Sequence, residues 1–174
     1  NGQDVNLAEV LAMGCWTPIE RFGNGDWEAR EMAPDGSAFE VYFQGKSQGR
    51  AEWTQLGLHN VHNALAAIAA AGHAGVSVVT AIAALRDFQG VKRRLETRGA
   101  VNGVTVYDDF AHHPTAIATT LAGLRARVGS QPIIVVLEPR SNTMKMGVFK
   151  DTLAPALHDA DSVVLYQASD LGWN

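Results

Sequence analysis

Within nine residues, Tyr107-Asp-Asp-Phe-Ala-His-His-Pro-Thr115, the chain gathers two carboxylates, two imidazoles and a proline. Adjacent carboxylates such as Asp108 and Asp109 can bind Mg²⁺, orient a ribose hydroxyl, or cap the turn that follows. His112 and His113 are consecutive and point in different directions. That suits one of them to a cleft and the other to packing, and argues against a shared metal site. Pro114 reads as the first residue of a helix, whose free amides and positive dipole end suit an anion. A second polar run, Glu138-Pro-Arg-Ser-Asn-Thr-Met-Lys-Met-Gly147, brings Arg140 and Lys145. Together these residues describe a cleft for an anionic substrate or a nucleotide. There is no G-x-S-x-G elbow, no Ser/His/Asp order and no G-x-G-x-x-G, so acyl hydrolysis and dinucleotide-dependent dehydrogenation are not supported.

Such loops need rigid elements on both sides. Val104 and Val106 predict a buried strand running into Asp108, and the following helix is expected over residues 115–127, with Gly129 as its stop. Pro132-Ile-Ile-Val-Val-Leu137 is β-branched and unalternating, as a central parallel strand should be. A helix over roughly 148–158 contains Pro155, which is tolerable only if the helix starts late or kinks. Ser162-Val-Val-Leu-Tyr-Gln167 is the last strand. This βαβαβ order predicts a truncated Rossmann-like parallel sheet with both polar loops at its carboxyl edge.

The first half differs. A short helix carrying Leu7, Val10 and Leu11 ends before Gly14. Three antiparallel strands are then expected at Trp27-Glu-Ala-Arg-Glu-Met, Ala38-Phe-Glu-Val-Tyr-Phe and Gly49-Arg-Ala-Glu-Trp-Thr, with turn signals at Asn24-Gly25, Pro34-Asp-Gly36 and Gly45-Lys46. Gly45-Lys46-Ser47 imitates the end of a P-loop. The required glycine five residues earlier is Glu40, so a hairpin turn is expected. Gly57-Leu-His-Asn-Val-His-Asn63 leads into an alanine-rich helix, with His59 or Asn60 expected at its N-cap. His59, Asn60 and Asn63 cluster at that end, where an amide can both donate and accept, as an adenine edge requires. Ser77 caps a second, structural helix. Phe88-Gln-Gly-Val-Lys-Arg-Arg-Leu-Glu-Thr-Arg-Gly99 carries four basic residues and marks a domain boundary. A guanidinium there could reach a phosphate across a cleft.

Composition narrows the classes. The 174 residues are 47% hydrophobic and 18% charged with net charge −4, which describes an ordinary globular protein of one large or two small domains; the order of elements makes it α/β. No basic stripe exists beyond Lys92-Arg93-Arg94, so nucleic acid is not expected as a partner, and Trp27, Tyr42 and Trp53 are expected to pack in a core. No apolar run is long enough to span a membrane and no signal-peptide pattern opens the chain. The single cysteine, Cys15, is expected to be a buried structural thiol, in keeping with a cytoplasmic location. The chain does not open with Met, which suggests a fragment.

Four ordered motifs carry a family resemblance: Gly57-Leu-His-Asn-Val-His-Asn63-Ala-Leu-Ala-Ala, Gly90-Val-Lys-Arg-Arg-Leu-Glu, Tyr107-Asp-Asp-Phe-Ala-His-His-Pro-Thr, and Leu137-Glu-Pro-Arg-Ser-Asn-Thr-Met-Lys-Met-Gly147. In order and spacing they resemble the Mur ligases of bacterial peptidoglycan synthesis, most nearly the muropeptide-recycling branch. The resemblance implies an ATP- and Mg²⁺-dependent ligase. It would activate the carboxylate of UDP-N-acetylmuramate as an acyl phosphate and join it to the murein tripeptide L-Ala-γ-D-Glu-meso-diaminopimelate. It implies residues 1–90 as the C-terminal part of a central ATPase domain, 91–99 as an interdomain hinge, and 100–174 as the first part of a C-terminal Rossmann-like domain. By the same resemblance His59, Asn60 and Asn63 line the adenine side, Arg94 reaches the phosphates, Asp109 holds the ribose and His112 stands near the reacting groups. Arg140 and Lys145 fall where peptide recognition is expected. The family's P-loop, Mg²⁺-binding Glu and modified lysine have no equivalent here. The metal site is therefore expected upstream, and the fragment alone is expected to be inactive. Another Mur ligase, a folylpolyglutamate synthetase-type ligase, or a noncatalytic nucleotide-binding module are the alternatives.

Overall fold

A computed structural model describes residues 1–167 and residue 172. The chain divides into two compact units, Asn1–Gln89 and Gly90–Asn174.

The first unit opens with helix α1 (Val5–Ala12), whose N-cap Asp4 accepts from the amides of Asn6 and Leu7 at 3.0 and 3.1 Å. Strands β1 (Trp27–Arg30), β2 (Ala38–Phe43) and β3 (Lys46–Glu52) form an antiparallel meander with β2 in the middle. Gln44 and Gly45 turn between β2 and β3, both at positive φ, so the P-loop mimic is a hairpin turn as expected. Alternation along the strands sends Trp27, Phe39, Val41 and Ala51 to one face. There they meet Val61, Ala64, Leu65 and Ile68 of helix α2 (Leu58–His73) and Ile82 of helix α3 (Val78–Arg86). Of the three aromatics expected in the core, Trp27 and Trp53 belong to it: Trp27 lies 4.4 Å from Phe43, and Trp53 donates from Nε1 to the Gly36 carbonyl at 2.9 Å. Tyr42 does not; it follows buried Val41 on the strand, so its side chain takes the other face, where the Arg30 guanidinium lies 4.3 Å from its ring centre. Small residues permit the close fit. A Cβ at Gly36 would stand 3.1 Å from Val61 Cγ2 and 3.2 Å from the Gly57 carbonyl oxygen, at a φ of +78°. Ser77 caps α3, accepting from the Thr80 amide at 3.2 Å.

The second unit begins with a hairpin, β4 (Glu96–Val101) and β5 (Val104–Asp108), turned by Asn102 and Gly103 at φ +51° and +80°. Both residues thus hold the left-handed geometry that a two-residue hairpin turn demands. Helix α4 (Pro114–Val128) starts with its proline at the first turn and ends at Gly129, φ +61°. Strand β6 (Ile134–Leu137) pairs in parallel with β7 (Ser162–Leu165), and the short helices α5 (Asn142–Lys145) and α6 (Lys150–Ala156) lie between them in sequence. Helix α6 starts at Lys150 and carries Pro155 inside it, one residue before its end, so the late start that would have put the proline in the first turn is not met; with no N–H, Pro155 cannot donate to the carbonyl one turn back, and the helix stops at Ala156. The core joins Ile117, Leu121 and Leu124 of α4 with Ile133, Met144, Leu153 and Leu157.

Several expectations need correction. The three strands of the βαβαβ order do not form one ladder among the described residues. Strand β5 pairs with the unexpected β4 in antiparallel fashion, while β6 and β7 form a separate two-stranded parallel sheet. Val104 and Val106 are exposed rather than buried, at 64% and 55%, because the hairpin places them away from the helical core. Cys15 is exposed, in the segment that follows α1, with its thiol 3.5 Å from the Thr17 carbonyl oxygen.

Candidate nucleotide- and substrate-binding residues

The first unit presents its candidate polar group at the start of α2. The N-cap is Gly57 at φ +89°, not His59 or Asn60; a glycine tolerates this conformation and no side chain caps the helix. His59, Asn60 and Asn63 therefore all lie within the first two turns. Asn60 donates from Nδ2 to the Leu56 carbonyl at 2.8 Å, and Asn63 donates from Nδ2 to Asn60 Oδ1 at 3.3 Å. This chain of amides fixes the orientation of Asn60 by its own backbone and ties the exposed Asn63 to it. His62, on the same helix, packs edge-on to Phe22, and burial together with the positive N-terminus pushes its imidazole pKa down.

In the second unit the polar loop after β5 is tied to the turn that precedes β4. Asp109 accepts twice at 2.7 Å, from the Leu95 amide on Oδ2 and from the Ala111 amide on Oδ1. The Phe110 amide donates to the Arg93 carbonyl at 2.9 Å, and Arg93 lays its guanidinium 4.7 Å from the Phe110 ring centre with Nε 3.5 Å from Asp108 Oδ1. Glu96 accepts from the Arg93 amide at 2.9 Å, and that bond, helped by Arg98, holds its carboxyl below the usual range. Arg94, in the middle of this turn, is exposed, and its guanidinium has no partner among the described residues. The sequence singled out Arg94 and Asp109 separately; their structural connection through the Leu95 amide was not foreseen.

The paired histidines divide their work as two adjacent directions require. His113 is the N-cap of α4: its Nδ1 accepts from the Thr115 amide at 3.2 Å and its ring packs edge-on to Phe149 with centres 4.6 Å apart. His112 is exposed and places Nδ1 3.0 Å from the Phe110 carbonyl oxygen. A carbonyl only accepts, so Nδ1 of His112 carries the proton and Nε2 is left as the acceptor of the neutral ring. Of the second polar run, Arg140 is exposed, just before Ser141, which caps α5 by accepting from the Met144 amide at 3.4 Å. Lys145 lies in the last turn of α5. The run was read as a loop; the Ser141 cap three residues before Met144 was the signal for a helical turn.

Among the described residues, no group of three His, Cys, Asp or Glu side chains is placed to hold a metal ion. Asp108 is drawn to Arg93 and Asp109 to two amides, so this pair does not fit a Mg²⁺ site. No helix among the described residues is long and apolar enough to cross a membrane.

Residues 93–172 match the family model described as "Mur ligase, glutamate ligase domain". Over 172 residues, 98% of its length, the chain is 54% identical to the UDP-N-acetylmuramate–L-alanyl-γ-D-glutamyl-meso-2,6-diaminoheptandioate ligase of Escherichia coli (strain K12). It is 52% identical over 175 residues, 99% of its length, to the Haemophilus influenzae ligase of the same name. The chain spans only 38% and 39% of those two relatives. Among solved structures it resembles a murein peptide ligase of Psychrobacter arcticus, with a TM-score of 0.67 and 47% identity over 98% of this chain and 37% of that one.

Proposed function

Because the chain belongs to the Mur ligase family, we propose that it is part of an ATP-dependent ligase joining UDP-N-acetylmuramate to L-Ala-γ-D-Glu-meso-diaminopimelate. One observation carries the reading: identity above one half to a ligase of that printed specificity, sustained over 98% of the chain. Residues 1–90 would be the end of the central ATPase domain, 91–99 a hinge, and 100–174 the start of the ligase domain, in a cytoplasmic enzyme of cell-wall recycling.

The first unit would contribute His59, Asn60 and Asn63 to the adenine edge, where a side-chain amide can both donate and accept. The second unit would contribute Arg94 to the ATP phosphates and Asp109 to the ribose side. His112 would face the reacting groups, with Nε2 able to take the proton that the attacking amine must lose. Arg140 and Lys145 would meet the peptide's carboxylates. ATP supplies the phosphoryl group that activates the carboxylate. Phosphoryl transfer needs Mg²⁺ and a phosphate cradle together; the Asp108 and Asp109 carboxylates are engaged with Arg93 and two backbone amides, so other residues of the ligase would hold the metal.

The test is ADP release by the full-length protein, requiring UDP-N-acetylmuramate and the tripeptide together. Activity with free L-alanine and not with the tripeptide would transfer the chain to another branch of the family. The 174-residue chain alone should form no product.

A further inference from the structure

The turn at residues 93–95 is held in a conformation its residues do not favour. Arg93 and Leu95 have φ of +59° and +49°. For side chains with a Cβ this left-handed region is disfavoured, so surrounding contacts must enforce it. Leu95 packs against the apolar core of its unit, and the Arg93 side chain is committed to Phe110 and Asp108. The backbone is joined by the Phe110 amide on the Arg93 carbonyl and by the Leu95 amide on Asp109, a partner 14 residues away. With its other oxygen Asp109 takes the Ala111 amide and so shapes the loop that leads to His112. Arg94 is flanked by these two anchored residues and its backbone amide donates to the Val91 carbonyl at 3.1 Å.

We infer that Asp109 is a positioning residue for Arg94: its carboxylate bridges the Leu95 and Ala111 amides and so holds the strained turn from which the Arg94 guanidinium projects. This rests on the reading of Arg94 as the phosphate-contacting residue. It adds to a ribose contact and does not replace it: the bond to Leu95 ties two backbone segments of the protein itself, and a carboxylate keeps lone pairs for a hydroxyl. Removing the carboxylate releases the Leu95 amide and the left-handed turn relaxes, so Arg94 loses its fixed starting point. A guanidinium displaced by about 1 Å from reacting phosphates can cost about 100-fold in rate.

The experiment is a double-mutant cycle in the full-length ligase, with ATP and with 2′,3′-dideoxy-ATP. Asp109→Ala should lower kcat about 100-fold with either nucleotide. In an Arg94→Ala background the same change should cost less than about threefold, because the positioned group is already gone. Asp109→Asn should behave like the alanine variant: its oxygen can keep Ala111 while its amide group cannot accept from Leu95. Hydrogen exchange on the 174-residue chain should show faster exchange at the Leu95 amide in both variants, with the Ile133 amide unchanged, which establishes that the fold persists. A deficit that disappears with the dideoxynucleotide would overturn the proposal in favour of a direct ribose grip. Losses that multiply in the double variant would also overturn it, while leaving the phosphate role of Arg94 intact. Full activity of Arg94→Ala would remove that phosphate role and the proposal with it.

Discussion

Phe39 and Val41, on the middle strand of the first unit, are 0% exposed, whereas Val104 on β5 and Val136 on β6 are 64% and 75% exposed. All four are apolar strand residues. The first unit covers one face of its sheet with α2 and α3, so alternation translates directly into burial. In the second unit the core runs through α4, α6 and the ends of the strands, and the remaining strand faces carry little of it. Polar ties take up part of the holding there. Arg125 donates from its guanidinium to the carbonyls of Gly129, Gln131 and Asp159 and to the Asp161 carboxylate, joining the end of α4 to the starts of β6 and β7. Asp161 also accepts from the Ile133 amide at 2.7 Å. One unit is thus held by packed area, and the other by packed helices with charged staples.

The comparison can be broken at its strongest point first. Phe39→Ala should cost the first unit about 3–5 kcal/mol in urea unfolding, the range for emptying a filled aromatic site. A loss below about 1 kcal/mol would mean that the sheet is not the load carrier of that unit. Next, Arg125→Ala should destabilise the second unit by about 2 kcal/mol, the scale of hydrogen bonds to charged groups, with amide exchange accelerating at Ile133 and not at Val41. Equal acceleration in both units would erase the distinction.

Acid should separate the units more gently. The Ile133 amide first, and Arg125 second, hold the Asp161 carboxyl below its ordinary value. The folded pKa is therefore lower than the unfolded one. Its stabilisation is complete above the unfolded carboxylate range and is lost as pH falls through the folded value. Exchange at Ile133 should accelerate on acidification through that window, and Arg125→Ala should flatten the dependence. The smallest effect belongs to Val136→Thr: at an exposed strand position it should stay within about 0.5 kcal/mol, by the same urea titration.

Much of this was legible beforehand. Helix α4 was readable because Pro114 and Gly129 punctuate both ends, and the meander of the first unit because its turn residues separate alternating runs. Hairpin β4–β5 was missed although Asn102-Gly103 is a strong two-residue turn signal. The basic run before it drew attention to charge, and charge says nothing about pairing. The N-cap of α2 was misplaced because Asn60 is a capable capper, whereas the backbone turns at Gly57, at φ +89° with its amide given to the Asp35 carbonyl at 2.7 Å, a long-range bond that no local spacing shows. Candidate residues could be named from motifs. That Asp109 holds an amide 14 residues upstream depends on tertiary geometry that no spacing reveals.

The open faces have a practical consequence for anyone handling this chain in concentrated solution. Ile134 and Val136 on β6 and Val163, Val164 and Leu165 on β7 put adjacent rows of aliphatic side chains in contact with water. Short strands of this composition are natural templates for strand-to-strand association between copies. Light scattering that rises with protein concentration, and falls when a lysine replaces Val136, would be the signature of that colloidal liability.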